Sequence, residues 1–459
     1  MRRATMALLV CLASVPAAAQ TPAEAPAGEA LTVPYIHFTL PNGLDVILHE
    51  DHSVPMVSIN MWYHAGSGSE RPGRTGFAHL FEHLMFEGSK HVPEGAFDTW
   101  LEAAGGNNNG STNRDRTNYY IDVPSNALDL ALFLESDRMG YLLDIVTPAL
   151  VNGQRDVVKN ERRQGVENAP YGMADVRLDE LLYPKGHPYS WPTIGYMEDL
   201  TAASDEDVRD FFRTYYAPGN ASLVIAGDID PAEARADIER WFSDVKAGQP
   251  ATPNEYPPAV LSEVKRERMT DRVQLPRLYL AWLTPAVYDP GDAELDLAAD
   301  ILAGGKNSRL YKRLVYDMQI AQSVSAFQSS NLLSSEFYVV VTARPAEGRT
   351  ADEIAAQVKT VVDEEIEKLR QTPPDARELQ RAVNQTEAAF FSRMERVGGF
   401  GGKADQLNAY FMRTGNPDYF NEDLARYRAI TPTDIRAAVR AWLPADKRVE
   451  LTVVPGEER

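Results

Sequence analysis

The sequence predicts an α+β protein of two duplicated α+β domains, each a mixed sheet packed by helices, in a chain of 459 residues. Three observations predict it. Short stretches that alternate apolar and polar residues, the period of strands, are interleaved with longer ones whose apolar residues recur every three or four positions, the period of helices. The order of these stretches occurs twice. Between the two occurrences, Pro250, Pro253, Pro257 and Pro258 mark a proline-rich connection, read as a linker over residues 249–262. Residues 31–248 and 263–459 are then the two domains, each long enough to bury its own core.

The elements follow in order. Residues 1–19 have a basic start at Arg2 and Arg3, an apolar core from Met6 to Val15, and Ala17, Ala18 and Ala19 before Gln20, the pattern of a cleaved signal peptide. Cys11, the one cysteine, lies inside it after Val10, a neighbour too bulky for a lipoprotein signal. The mature chain is then cysteine-free, which suits an oxidising compartment without disulfides, and the expected location is periplasmic or secreted. Residues 20–30, rich in Ala, Pro, Glu and Thr, read as a disordered leader. Residues 36–40 and 44–48 flank Asn42-Gly43 and predict a hairpin. Residues 57–63 are the next strand, Gly66-Ser67-Gly68 a loop, and residues 117–123 a further strand. By composition alone, Asn107-Asn108-Asn109-Gly110 reads as a turn. Helices are expected over 125–143, 147–165 and 204–216, then a strand over 222–226.

The repeat rests on particular residues. Leu200-Thr201 through Phe211 parallels Ile430-Thr431 through Ala438, and each is followed by a strand, 222–226 and 449–453. Trp62 in its strand parallels Trp282 within 278–283. Charge excludes some partners. Forty-six basic residues against sixty-six acidic ones argue against nucleic acid and anionic membranes. Beyond the first nineteen residues, no apolar run approaches membrane-spanning length.

The most informative residues are His79-Leu80-Phe81-Glu82-His83. Histidines four apart on a helix project from one face, where both imidazoles reach one metal ion, and a glutamate between them lies close enough to handle a water on that metal. This H-x-x-E-H order is the signature of one group of zinc peptidases. Phe77, Leu80, Phe81, Leu84 and Met85 form an apolar stripe on the same segment, so the helix is largely buried and its polar groups need partners or a ligand.

A catalytic zinc ion takes three protein ligands, which leaves one to find. The downstream carboxylates are Glu87, Glu94, Glu102, Glu135, Glu161 and Glu167. Thr147 as N-cap with Pro148 behind it opens a helix on which Val151, Gln154, Val157, Val158 and Glu161 share a face. Arg155, Asp156, Lys159 and Arg162 fall on or near its solvent side. Glu161 is the best third ligand on these grounds.

Together, His79, Glu82 and His83, the Gly105-Gly106-x-x-Asn109-x-x-Thr112 stretch and Glu161 resemble the pitrilysin/insulysin-type zinc peptidases, and the two-domain length resembles the mitochondrial processing peptidase branch. The resemblance extends over the mature chain, including Gly304-Gly305-x-x-Ser308-Arg309-Leu310. It implies one zinc ion on His79, His83 and Glu161, with Glu82 as general base. It implies peptide substrates laid as an added strand along the edge near Asn109 and Thr112. It also implies that the chain forms half of a clam-shell chamber completed by a second chain.

Two departures stand out. Many family members carry a second glutamate seven residues before the ligand glutamate, and here Gln154 stands there, beside the ligands but without charge. The family's substrate-gripping Arg and Tyr should fall at 315 and 322, where this chain has Val315 and Gln322. By that resemblance this is the zinc-bearing subunit of a heterodimer whose related partner supplies Arg and Tyr, a homodimer being the other arrangement. In the second domain Asp296, Ala299 and Asp300 occupy the register of His79, Glu82 and His83, so that half cannot build the centre. The rival reading is a non-catalytic peptide-binding or assembly subunit of the same fold.

Overall fold

The hairpin around Asn42-Gly43 opens the fold, in a computed structural model that describes residues 30–248 and 255–456. The expected signal peptide, the leader up to residue 29 and residues 249–254 of the expected linker lie outside the described residues. From Val33 onward the described residues form one compact unit. In it β1 (Ile36–Thr39) and β2 (Asp45–Glu50) pair antiparallel, with Gly43 in the left-handed region at φ +92°. Then come β3 (Met56–Tyr63), α1 (Phe77–Leu84) and α2 (Ala96–Ala103), and a second hairpin of β4 (Asn107–Thr112) and β5 (Thr117–Pro124). The first half closes with α3 (Leu128–Tyr141), α4 (Pro148–Arg162), α5 (Met173–Leu182), α6 (Met197–Ala202), α7 (Asp205–Tyr215), β6 (Ala221–Gly227) and α8 (Pro231–Phe242).

Helix starts obey local chemistry. The Thr147 hydroxyl accepts from Leu150 N ahead of Pro148, and Ser204 and Asp207 form a reciprocal capping box at α7. The six strands run β1-β2-β6-β3-β5-β4, with β6 parallel to β2 and antiparallel to β3. Strand alternation sends Val57, Ile59, Met61 and Tyr63 to one face, where they form one core with Phe77, Leu80, Phe81 and Leu84 of α1.

The second half repeats this plan. It comprises β7 (Lys265–Asp271), β8 (Arg277–Thr284), α9 (Asp292–Ala303), β9 (Ala321–Ser329), β10 (Ser335–Ala343), α10 (Ala351–Gln371), α11 (Ala376–Met394), α12 (Lys403–Thr414), α13 (Phe420–Arg428), α14 (Pro432–Trp442) and β11 (Val449–Pro455). Its sheet order is β7-β11-β8-β10-β9, which matches β2-β6-β3-β5-β4 strand for strand, including the single parallel pairing of β11 with β7. On α9, Asp296 has a buried carboxyl that is pushed up to about 7 and accepts from the Tyr427 hydroxyl at 2.7 Å.

The halves exchange helices. From the first half, α5 lays Ala174, Leu178 and Leu182 against Tyr279, Ala281 and Leu451 of the second sheet. In return, α12 packs on β6 and β3 of the first sheet. There Asp405 Oδ1 accepts from Trp62 Nε1 and Asn118 Nδ2, each at 2.9 Å, and Asn408 Nδ2 donates to the Asn60 carbonyl at 2.9 Å. A third tie is ionic. Arg114, on the β4–β5 turn, pairs with both Asp179 of α5 and Glu336 of β10, and the Tyr183 hydroxyl also donates to Glu336. One guanidinium therefore serves two buried carboxyls. Desolvation pushes Asp179 up to about 7 against the pull of Arg114.

Candidate metal centre

Helix α1 follows β3 through a loop that ends at Gly76, which sits at φ +87° and gives the helix no side-chain cap. Its first N–H groups are met from elsewhere: Glu70 accepts from Gly76 N and Ala78 N, each at 2.9 Å. With Phe77, Leu80, Phe81, Leu84 and Met85 buried, one face of α1 remains for His79, Glu82 and His83. The two imidazole rings lie 4.8 Å apart, edge to face. Burial, with His83 adding to it, lowers His79 to about 4, so its ring is neutral at pH 7 and offers a lone pair.

Glu161, near the end of α4, completes the cluster. Its Oε2 lies 3.2 Å from His83 Nε2 and 3.8 Å from His79 Nε2. The three ligand atoms lie within 4.8 Å of one another, a spread that zinc bonds of about 2.0–2.2 Å draw together with little movement. The donor set of two imidazoles and a carboxylate fits zinc, and the buried His79 Nδ1 has no hydrogen-bond partner among the described residues, which leaves Nε2 as the ring's directed atom. Side-chain exposure is 19% for each histidine and 45% for Glu161, so the cluster opens to solvent on the Glu161 side. The other carboxylates go elsewhere: Glu135 pairs with Arg138 in the core and Glu167 with Arg162.

Two assignments on α4 need correction. Val157 is 41% exposed rather than on the shared face with Val151 and Val158, and Arg162 is 5% exposed rather than on the solvent side. The reason is the loop before α6, which covers that flank. Its Gly195 carbonyl accepts from Arg162 Nη1 at 2.6 Å. Gln154 directs its amide to Glu87 Oε1 at 2.6 Å. Burial raises the Glu87 carboxyl, with Glu94 nearby contributing.

Asn107-Asn108-Asn109-Gly110 is not a turn. It begins β4, paired with β5 in register from Asn107 opposite Asp122 to Thr112 opposite Thr117, and its other edge has no strand neighbour among the described residues. Asn109 is exposed on that edge. Thr112 points to the metal helix, and its hydroxyl donates to Glu82 Oε2 at 2.6 Å. Desolvation raises the Glu82 carboxyl, and the Thr112 hydroxyl pulls it back. Glu82 can accept a proton from a water beside the three ligands, held in orientation by Thr112.

Val315 packs at the margin of the second core, and Gln322 is exposed on β9. Neither offers a cation or a phenol. The glycine-rich residues 397–402 join α11 to α12, and Phe400 meets the Tyr120 ring edge-on at 4.9 Å. Sequence reading missed Glu70, Arg114 and the buried role of Arg162. Their partners lie on other elements, and nothing in their neighbours' identities signals it.

Comparison with known proteins is consistent along the chain. Residues 45–181 match the family described as insulinase (peptidase family M16), and residues 202–386 match the peptidase M16 inactive domain. The chain is 29% identical over 364 residues to a zinc protease, PqqE, of Helicobacter pylori, covering 78% of this chain and 79% of that one. It is 23% identical over 431 residues to a probable mitochondrial-processing peptidase subunit beta of Arabidopsis thaliana, covering 91% and 77%. Among solved structures, a protease from Helicobacter pylori superposes with a TM-score of 0.84 at 24% identity, over 92% of this chain and all of that one, and shares its fold.

Proposed function

Because the chain belongs to the insulinase family of peptidases, family M16, we propose that it is a zinc-dependent endopeptidase subunit that cleaves extended peptides or small unfolded proteins. The observation that carries this reading is the convergence of His79 and His83 with Glu161, beside a glutamate, Glu82, that makes no ion pair among the described residues. A zinc ion in this site would lower the pKa of a water and polarise the scissile carbonyl.

The remaining work falls to the chain's own residues. Glu82 takes the proton of the attacking water on its carboxylate and returns it to the departing amine nitrogen. Its raised affinity for a proton, set by burial, suits both transfers. Thr112 holds one Glu82 oxygen and so fixes the orientation of the carboxyl. The free edge of β4 at Asn109 supplies main-chain groups for a peptide in strand conformation, a mode that tolerates varied side chains.

Neither Val315 nor Gln322 offers a guanidinium or a phenol to grip the peptide carbonyl, which supports a heterodimer with a related Arg/Tyr-bearing subunit. A homodimer is the alternative assembly. The signal-peptide pattern of residues 1–19 supports a periplasmic or secreted location. The test is hydrolysis of a quenched, unstructured peptide by the chain alone and mixed with such a relative, with zinc assayed in parallel. Chelator-sensitive hydrolysis that E82Q abolishes while retaining zinc is the expected result. Bound zinc with no hydrolysis in either mixture would favour the non-catalytic peptide-binding subunit, and no bound zinc would overturn the reading.

A further inference from the structure

Glu70 is 3% exposed, carries a carboxyl group, and lies in none of the motifs that define the centre. Its two oxygens meet the first N–H groups of α1, whose N-cap glycine has no side chain to offer. His79 is only the third residue of that helix, so whatever fixes the first turn fixes the first ligand. A second contact extends the frame to α4. Gly76 lies so close to the loop before α6 that a Cβ there would meet Ile194 O at 2.8 Å and Gly195 Cα at 3.1 Å. The carbonyl of Gly195 holds Arg162, the neighbour of Glu161, and Tyr196 N donates to Thr75 Oγ1 at 2.9 Å. The start of the histidine helix and the end of the glutamate helix therefore meet on one braced loop, with Glu70 beneath it.

We propose that Glu70 is a positioning residue of the metal centre, anchoring the first turn of α1 so that His79 and His83 face Glu161. The Glu70 oxygens accept from two of the orphan donors at that terminus, and burial pushes its carboxyl up to about 8, so what it supplies is a fixed pair of acceptors rather than a net charge. The proposal rests on the zinc reading above and concerns how tightly the metal is held.

The test measures zinc affinity of the full chain by competition with a chromophoric chelator, together with the visible spectrum of the cobalt-substituted form. E70Q keeps the size and replaces one of the two accepting oxygens by an NH2 group, which cannot accept from these N–H groups. Its expected zinc dissociation constant is weaker by on the order of tenfold, as for other residues that orient ligands, with shifted cobalt bands and an unchanged far-ultraviolet spectrum. Wild-type affinity and wild-type cobalt bands in E70Q would overturn the proposal and leave the metallopeptidase reading standing. A wild-type chain that binds no zinc would overturn both. If E70Q does not fold, E70D carries the test. Its carboxylate is withdrawn by one methylene, so several-fold weaker binding is expected and wild-type binding would refute the role.

Discussion

Replacing Asp179 by Asn should stabilise the protein at pH 8 and leave it unchanged near pH 4. In the native protein Asp179 and Glu336 share one buried cation, Arg114, and desolvation favours the protonated form of each acid. Burial raises Asp179 to about 7 from an ordinary 3.8. Its folded pKa lies above its unfolded one, so stability is fully present below the unfolded value and is lost as pH rises through the folded value. At about 1.4 kcal/mol per pH unit, the window from about 4 to 7 removes up to about 4 kcal/mol. An asparagine mimics the protonated acid, still accepts from Arg114, and has nothing to titrate. Urea unfolding of both proteins at pH 4.5 and 8 reads the difference. The D179N midpoint at pH 8 should exceed the wild-type one by on the order of 1 M, given a slope near 3 kcal/mol per molar. Equal pH slopes in the two proteins, or a less stable variant at pH 8, would show that Asp179 is ionised and the reasoning is wrong.

The other expectations are more local. T112V keeps shape but removes the donor on Glu82. A hydrogen bond to a charged group is worth roughly 1.5–3 kcal/mol, so kcat should fall about tenfold or more with KM nearly unmoved. A raised KM with unchanged kcat would place Thr112 on the peptide instead. D405A strands the Trp62 indole N–H, the Asn118 amide and Gly401 N, and should cost about 3 kcal/mol in urea unfolding while exposing residues 397–402 to proteolysis. A loss under about 1 kcal/mol would show that α12 docks without this network.

The cluster of His79, His83 and Glu161 was legible because its information is local. His79, Glu82 and His83 lie on one helix whose period identifies their common face, and Glu161 stands on a helix announced by Thr147 and Pro148. The strand β4 was not legible. An Asn-Gly tract has the composition of a turn, and only pairing with β5 and packing of α1 make it extended, which is tertiary context overriding propensity. Arg162 looked solvated because a helical wheel does not include the loop at Gly195 that covers its flank. Arg114 and Glu336 are 222 positions apart, and Glu70 meets its partners through a turn around Gly73 and Gly76 whose path depends on the rest of the fold.

The exchange of α5 and α12 has a consequence for how the chain is made. The last strand of the first sheet ends at Gly227, yet the helix that covers its far face begins at Lys403. At roughly 5–20 residues per second of synthesis, that face waits on the order of ten to thirty-five seconds for its cover. Over that interval Trp62, Asn60 and Asn118 have no partner on α12, while Ala174, Leu178 and Leu182 project an apolar helix toward a sheet that does not yet exist. The nascent first half is therefore a natural client for chaperones. Cutting the chain between its halves leaves each piece with an uncovered sheet face, so neither half satisfies its own surfaces alone.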